Sequence, residues 1–116
     1  MKRLFFPLLA GLLWLMSGTL SAAERTYNVL FIQSYTKNTP WHSLLTENLE
    51  NGLKKGGVRA NIITEYLNAD YWSFASECFI MRRICQRARQ RKTDLIVTSS
   101  DEAFFTLTHC GDSLPY

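Results

Sequence analysis

The sequence predicts a three-layer αβα domain built on a parallel sheet. Three short apolar runs rich in β-branched residues, at 27–32, 58–66 and 93–98, have the length and composition of strands. Each is followed by a segment whose apolar residues recur at helical spacing. Such alternation gives parallel strands joined by right-handed crossovers, and the Val/Ile-rich runs argue against the alternative, a helical bundle.

The first strand, Tyr27–Ile32, is nearly continuous in apolar residues, as expected for a strand covered on both faces. A polar loop over 33–39 follows, and Thr39 is expected to cap the next helix, with Pro40 in its first position. Gly56-Gly57 ends that helix. Its apolar stripe comprises Trp41, Leu44, Leu45, Leu49 and Leu53.

The second strand is predicted over Val58–Tyr66, and a loop over 67–71 leads to a helix from about Trp72 to Arg91. A third strand over Thr93–Thr98 and a helix over Asp101–His109 complete the pattern. The stripe of the second helix that is expected to face the core comprises Phe74, Cys78, Met81, Cys85 and Ala88.

The first 23 residues have the composition of a secretory signal peptide. Met1-Lys2-Arg3 is basic, residues 4–16 are almost wholly apolar, and Ser21-Ala22-Ala23 places small residues before a cut at Glu24. The apolar run is about 13 residues, short of the ~20 that a spanning helix needs, so an uncleaved anchor is the weaker alternative. We therefore expect an exported, periplasmic or otherwise extracytoplasmic protein. Residues 24–116 are expected to be an incomplete N-terminal lobe, since another strand is expected to begin near their end.

The formal net charge of +3 includes Lys2 and Arg3 of the predicted signal, so the remainder is near neutral. Basic residues concentrate in Arg82–Lys92, a pattern that can indicate nucleic-acid binding. We interpret them instead as the solvated face and last turns of a helix, where cations complement the negative end of the helix dipole. No nucleic-acid partner is expected.

The three cysteines are an odd number for an exported protein. Cys78 and Cys85 lie two turns apart on one predicted helix, about 10 Å along its axis, which is too far for a disulfide. They are expected to be small buried residues. Cys110 can pair only if the fold brings it close to one of them, so the pairing stays open. No spacing of His and Cys predicts a metal site, and no cofactor is expected.

The loops that follow the strands are polar, and in parallel sheets ligands bind beyond the carboxyl ends of the strands. In the third loop, Ser99-Ser100-Asp101-Glu102 fits a capping box, with Ser99 accepting from a backbone N–H and Glu102 reaching back. The same loop can line a cleft. Two carboxylates disfavour a phosphate there and favour a hydroxyl-rich or amine-bearing ligand.

Enzymatic patterns are missing from these loops. A phospho-receiver needs acidic residues after the first strand, where this chain has Gln33-Ser34-Tyr35. The chain contains no GxSxG elbow and no glycine-rich phosphate loop after the first strand. His42, expected near the cleft, and His109, expected at a helix end, lack the partner spacing of a triad. We predict a binding protein, with an exported α/β enzyme as the least favoured alternative.

"NVLFIQSYTKNTPW", "TEYLNADYW" and "TDLIVTSSDEAF" resemble the three βα units that open the periplasmic-binding-protein-like family of ABC-type solute receptors. The resemblance covers residues 28–116 and implies the first part of lobe one of a type 1-like fold, with the ligand held between two lobes. It implies that the ligand-binding residues are Ser34, Tyr35, Trp41, Tyr66, Asn68, Ser99, Ser100 and Asp101.

The same three segments also resemble the input domain of Bacteroides-type membrane sensor histidine kinases, and the sequence of this chain is closer to those sensors. The resemblance therefore implies a sensor lobe of a two-component system, with a solute-binding component of an ABC transporter as the alternative. It also implies a sugar, amino acid or similar ligand, a second lobe, and a membrane-anchored kinase or transporter as partner.

Overall fold

The computed structural model of the chain describes residues 24–111, and the predicted signal peptide lies outside them. Strands and helices alternate along this part of the chain, which confirms the predicted three-layer α/β fold. The elements are β1 (Thr26–Gln33), α1 (His42–Lys55), β2 (Arg59–Tyr66), α2 (Phe74–Gln90), β3 (Leu95–Ser99) and α3 (Ser100–Cys110).

The three strands form one parallel sheet in the order β2-β1-β3. Gln33, the last residue of β1, is level with Tyr66 of β2 and with Ser99 of β3. The carboxyl ends of all three strands are therefore flush. Whatever follows each strand begins at the same edge of the sheet.

β1 is the central strand, and it is buried from Val29 to Gln33. Leu30 and Ile32 belong to the core that α2 and α3 cover. Gln33 bonds instead to α1, since its Nε2 donates to Thr46 Oγ1 at 3.0 Å. Because side chains alternate along a strand, α1 covers one face of the sheet and α2 and α3 cover the other.

The main core lies on the α2 and α3 face. As predicted, Met81, Cys85 and Ala88 are buried in it, whereas Phe74 of the same predicted stripe is 48% exposed. Each fully buried large side chain stabilises the fold by about 1.5–3 kcal/mol. The buried cluster comprises Leu30, Ile32, Leu67, Met81, Ile84, Cys85, Ala88, Ala103 and Leu107.

Helix α1 departs from the prediction at its N-terminus. The expected cap, Thr39, lies within a turn, where its N–H donates to the Thr36 carbonyl and its own carbonyl accepts from His42 N–H, both at 3.1 Å. The N-cap position is Trp41, which makes no side-chain capping bond. Within residues 24–111, α1 packs mainly on the sheet, and part of its apolar stripe is exposed, with Leu44 56% accessible.

A disulfide joins α2 to α3. Cys78 and Cys110 are bonded, with their Cα atoms 5.1 Å apart. The sequence left the partner of Cys110 open, and the packing of the two helices decides it. Cys85 is buried in the core, as predicted.

Some residues of the basic run of α2 form ion pairs within the fold. Arg87 donates two bonds of 2.9 Å to the carboxylate of Glu65 in β2. Arg91 adds a contact of 3.3 Å to the same carboxylate. These ion pairs join the second helix to the edge strand.

Candidate ligand-binding site

The loops that follow the three strands lie side by side at the carboxyl edge of the sheet. Leu67 N–H donates to the Gln33 carbonyl and Ala69 N–H to the Ser34 carbonyl, both at 2.8 Å, so the second loop runs beside the first. We call residues 33–42, 66–71 and 99–102 the rim. β1 and β3 are neighbours whose following helices cover opposite faces, which is where α/β sheets bind ligands.

Ser34 joins the first loop to the third. Its buried hydroxyl donates to the Ser99 carbonyl at 2.5 Å and accepts from the Ala103 N–H at 2.9 Å. Those two backbone groups are the pair that begins the i→i−4 ladder of α3. One hydroxyl in the loop after the central strand thus binds the start of a helix that follows the neighbouring strand.

The predicted capping box at Ser99 is wrong. Ser99 is the N-cap residue of α3 but makes no side-chain capping bond. The hydroxyl of Ser34 binds the Ala103 N–H instead, one residue beyond the N–H that the capping box requires. Glu102 bonds to Tyr35 instead of reaching back to the cap. Ser100 has φ of 67°, a left-handed value that is uncommon for serine and costs energy.

Tyr35 and Glu102 form a second link across the rim. The Tyr35 hydroxyl donates to Glu102 Oε1 at 2.8 Å. This bond, followed by partial desolvation, raises the pKa of Tyr35, and the charges of Glu102, Asp101 and Asp70 raise it further. All three carboxylates are therefore close enough to act on one phenol.

The α1 side of the rim holds a buried polar pair. Gln33 is fully buried and His42 is 2% exposed, with the imidazole stacked on the Tyr66 ring at a centroid distance of 5.5 Å. Burial lowers the pKa of His42, and the nearby charge of Asp70 partly opposes that shift. Among the described residues, Gln33 Oε1 and His42 Nδ1 have no hydrogen-bond partner.

The residues assigned by resemblance fall into two groups along this rim. Tyr66 and Asn68 lie on the β2 side, and Asn68 adopts φ of 57°, which asparagine tolerates. Trp41 is 52% exposed and meets His42 edge-on at 6.4 Å. The group between β1 and β3 comprises Ser34, Tyr35, Ser99, Ser100 and Asp101.

Three further rim residues were not among those assigned. Gln33 is a buried polar residue at the end of an apolar strand, a signal that the sequence does carry. The sequence predicted Glu102 only as a member of the capping box. Asp70 lies in the second loop, and the composition of that loop does not indicate a role for it in the site. Only the fold brings its charge close enough to act on both Tyr35 and His42.

Within residues 24–111 no group of three His, Cys, Asp or Glu side chains could hold a metal ion. None of the helices in this range has the length and apolar character needed to cross a membrane. No protein-family model, curated protein or solved structure matches the chain. The arrangement of the rim itself is therefore the basis for a functional proposal.

Proposed function

We propose that this chain forms a small-molecule-binding lobe outside the cytoplasm, serving as the sensory input of a membrane two-component histidine kinase. The proposal rests on the two hydrogen bonds that the Ser34 hydroxyl makes to the third loop and to α3. Because that hydroxyl fixes the first loop against the third, Tyr35 and Asp101 are presented by a preorganised backbone, which lowers the entropic cost of binding.

The polar lining supports a binding role over catalysis. Tyr35 donates to a carboxylate and His42 stacks on a ring, so neither has the contact that would activate a nucleophile. An exported α/β enzyme would show turnover that disappears in Asp101→Ala. Ligand binding without turnover agrees with the proposal.

The alternative is a solute-binding component of an ABC transporter, which would use the same rim. No lipobox cysteine of the kind that tethers a receptor lies at the predicted cleavage site, since Ser21-Ala22-Ala23-Glu24 contains no cysteine, which favours the sensor. The complete gene separates the two. A second lobe followed by a membrane span and a kinase region supports the sensor, and a stop codon after the second lobe supports the receptor.

Binding can be tested with a thermal-shift screen of sugars, amino acids and peptides on the full-length protein, followed by calorimetry. Asp101→Ala and Trp41→Ala should each weaken binding of a hit about tenfold, with little loss of folding stability. Glu50→Gln is the control, since Glu50 lines a groove with Thr26 and Arg59, which begin β1 and β2 at the opposite edge. If both rim variants bind the hit as wild type does, the proposed site is wrong.

A further inference from the structure

We propose that His42 makes the contact between α1 and the sheet sensitive to pH: when its imidazole is protonated, the first turn of α1 separates from β2 and the α1 side of the rim opens. The release itself follows from the buried surroundings of His42. Its effect on the ligand rests on the proposed binding function, because Trp41 and Tyr66, two of the residues assigned to the ligand, contact the imidazole.

The first turn of α1 is held on the sheet through His42 and Gln33. His42 is the first residue of the helix, and its ring stacks on the Tyr66 ring at the end of β2, with the two planes 11° apart. From β1, Gln33 Nε2 donates to Thr46 Oγ1 at 3.0 Å and lies 3.4 Å from the His42 carbonyl oxygen. Trp41, at the N-cap position, adds no side-chain capping bond. This turn therefore depends on the imidazole for its attachment.

The imidazolium form has no acceptor for its buried N–H group in this arrangement. Among the described residues, His42 Nδ1 has no hydrogen-bond partner, and Gln33 Oε1, which is also buried and unpartnered, does not bond to it. The neutral imidazole can leave Nδ1 unprotonated, whereas the imidazolium must place a donor there. Burying a charge without a partner costs far more than burying a neutral group.

The position of His42 at the start of a helix adds to this cost. The N-terminus of a helix carries a partial positive charge, which disfavours a cation. The groups that face the imidazole from β1 and β2 are the Gln33 amide and the Tyr66 ring, and neither is a carboxylate. Asp70 of the second loop favours protonation, but burial has the larger effect, so the pKa of His42 is lowered. Moving the turn into solvent returns the imidazole to its ordinary pKa of about 6.5.

Acidic pH therefore favours the open turn. Because the pKa of His42 is lower when the turn is closed, the closed turn has its full stability above about pH 6.5 and loses it as the pH falls through the lower value. Each unit of difference between the two pKa values changes the opening equilibrium tenfold. Opening separates Trp41 from Tyr66 at the rim, so ligand affinity should fall with pH.

Hydrogen–deuterium exchange of the full-length protein tests the release without any ligand. The Leu45 N–H, which donates to the Trp41 carbonyl at 2.9 Å, reports on this turn. After correction for intrinsic exchange rates, protection in a peptide covering 43–47 should fall about tenfold between pH 7.5 and pH 5 and stay below the protection of β1. His42→Phe, which keeps a ring against Tyr66, and His42→Leu should both abolish the fall, because neither side chain titrates. Ser43→Ala, at an exposed neighbour, should retain it.

Three results would overturn the inference. Protection in 43–47 equal to that of β1 at both pH values would mean that the turn opens only when the whole domain unfolds. Protection that does not fall in the wild type, or a fall that persists in both His42 variants, would show that His42 does not control the turn. None of these results tests whether a sugar, amino acid or peptide binds at the rim, so the proposed function can stand when this inference fails.

Discussion

Replacing Ser34 with alanine tests the contact on which the geometry of the rim depends. The substitution removes a bond of 2.5 Å to the Ser99 carbonyl and one of 2.9 Å from the Ala103 N–H. Leaving both groups unpaired would cost several kcal/mol, but they are four residues apart and can bond to each other directly. We therefore expect a loss of about 2 kcal/mol, or ~10 °C in Tm for a domain of this size.

Urea denaturation followed by circular dichroism measures this loss. Ser43→Ala is the matched control, because Ser43 is an exposed serine on α1 and its removal should change stability by less than about 0.5 kcal/mol. If Ser34→Ala unfolds at the same urea concentration as wild type, the hydroxyl does not hold the two loops together. The argument for a preorganised rim then fails.

Two further predictions concern the disulfide and the buried histidine. Cys78→Ala/Cys110→Ala should lower the free energy of unfolding by about 3–4 kcal/mol, since the bridged residues are 32 apart and the bond restricts the unfolded chain. The pKa of His42 is lowered in the folded state, so its contribution is fully present above about pH 6.5 and is lost as the pH falls through the lower, folded-state pKa. His42→Leu should flatten that part of the stability profile.

Urea titrations with and without dithiothreitol check the disulfide, and a wild-type midpoint that does not move on reduction contradicts its assignment. Urea titrations from pH 5 to 7.5 check the histidine. A His42→Leu protein with the same pH dependence as wild type would show that another group titrates.

The architecture was predictable because it depends on local patterns. Alternating strand and helix signals, each readable within about ten residues, allow few arrangements other than a parallel sheet. That arrangement in turn predicts that the loops after the strands meet at one edge, and the register of Gln33 with Tyr66 and Ser99 confirms it.

Helix ends were predicted less well, for a physical reason. Thr39 and Ser99 have suitable side chains for capping, but a cap requires the oxygen to face particular N–H groups. At α3 the Ser99 side chain makes no such bond, and the hydroxyl of Ser34, distant in sequence and adjacent in space, binds the Ala103 N–H. The sequence shows which residues have side chains suited to capping. It does not show which side chains from distant parts of the chain will bind at the start of the helix.

By itself the sequence determined the order of the strands and helices, the burial of β1 and the polar character of the loops that follow the strands. These properties follow from hydrophobic periodicity, which acts over short stretches of chain. Only the tertiary structure decided that Cys110 pairs with Cys78, that Ser34 binds the Ala103 N–H of α3, and that the charge of Asp70 acts on Tyr35 and His42. Each of those interactions joins segments that are far apart in sequence, so it exists only once the layers have packed.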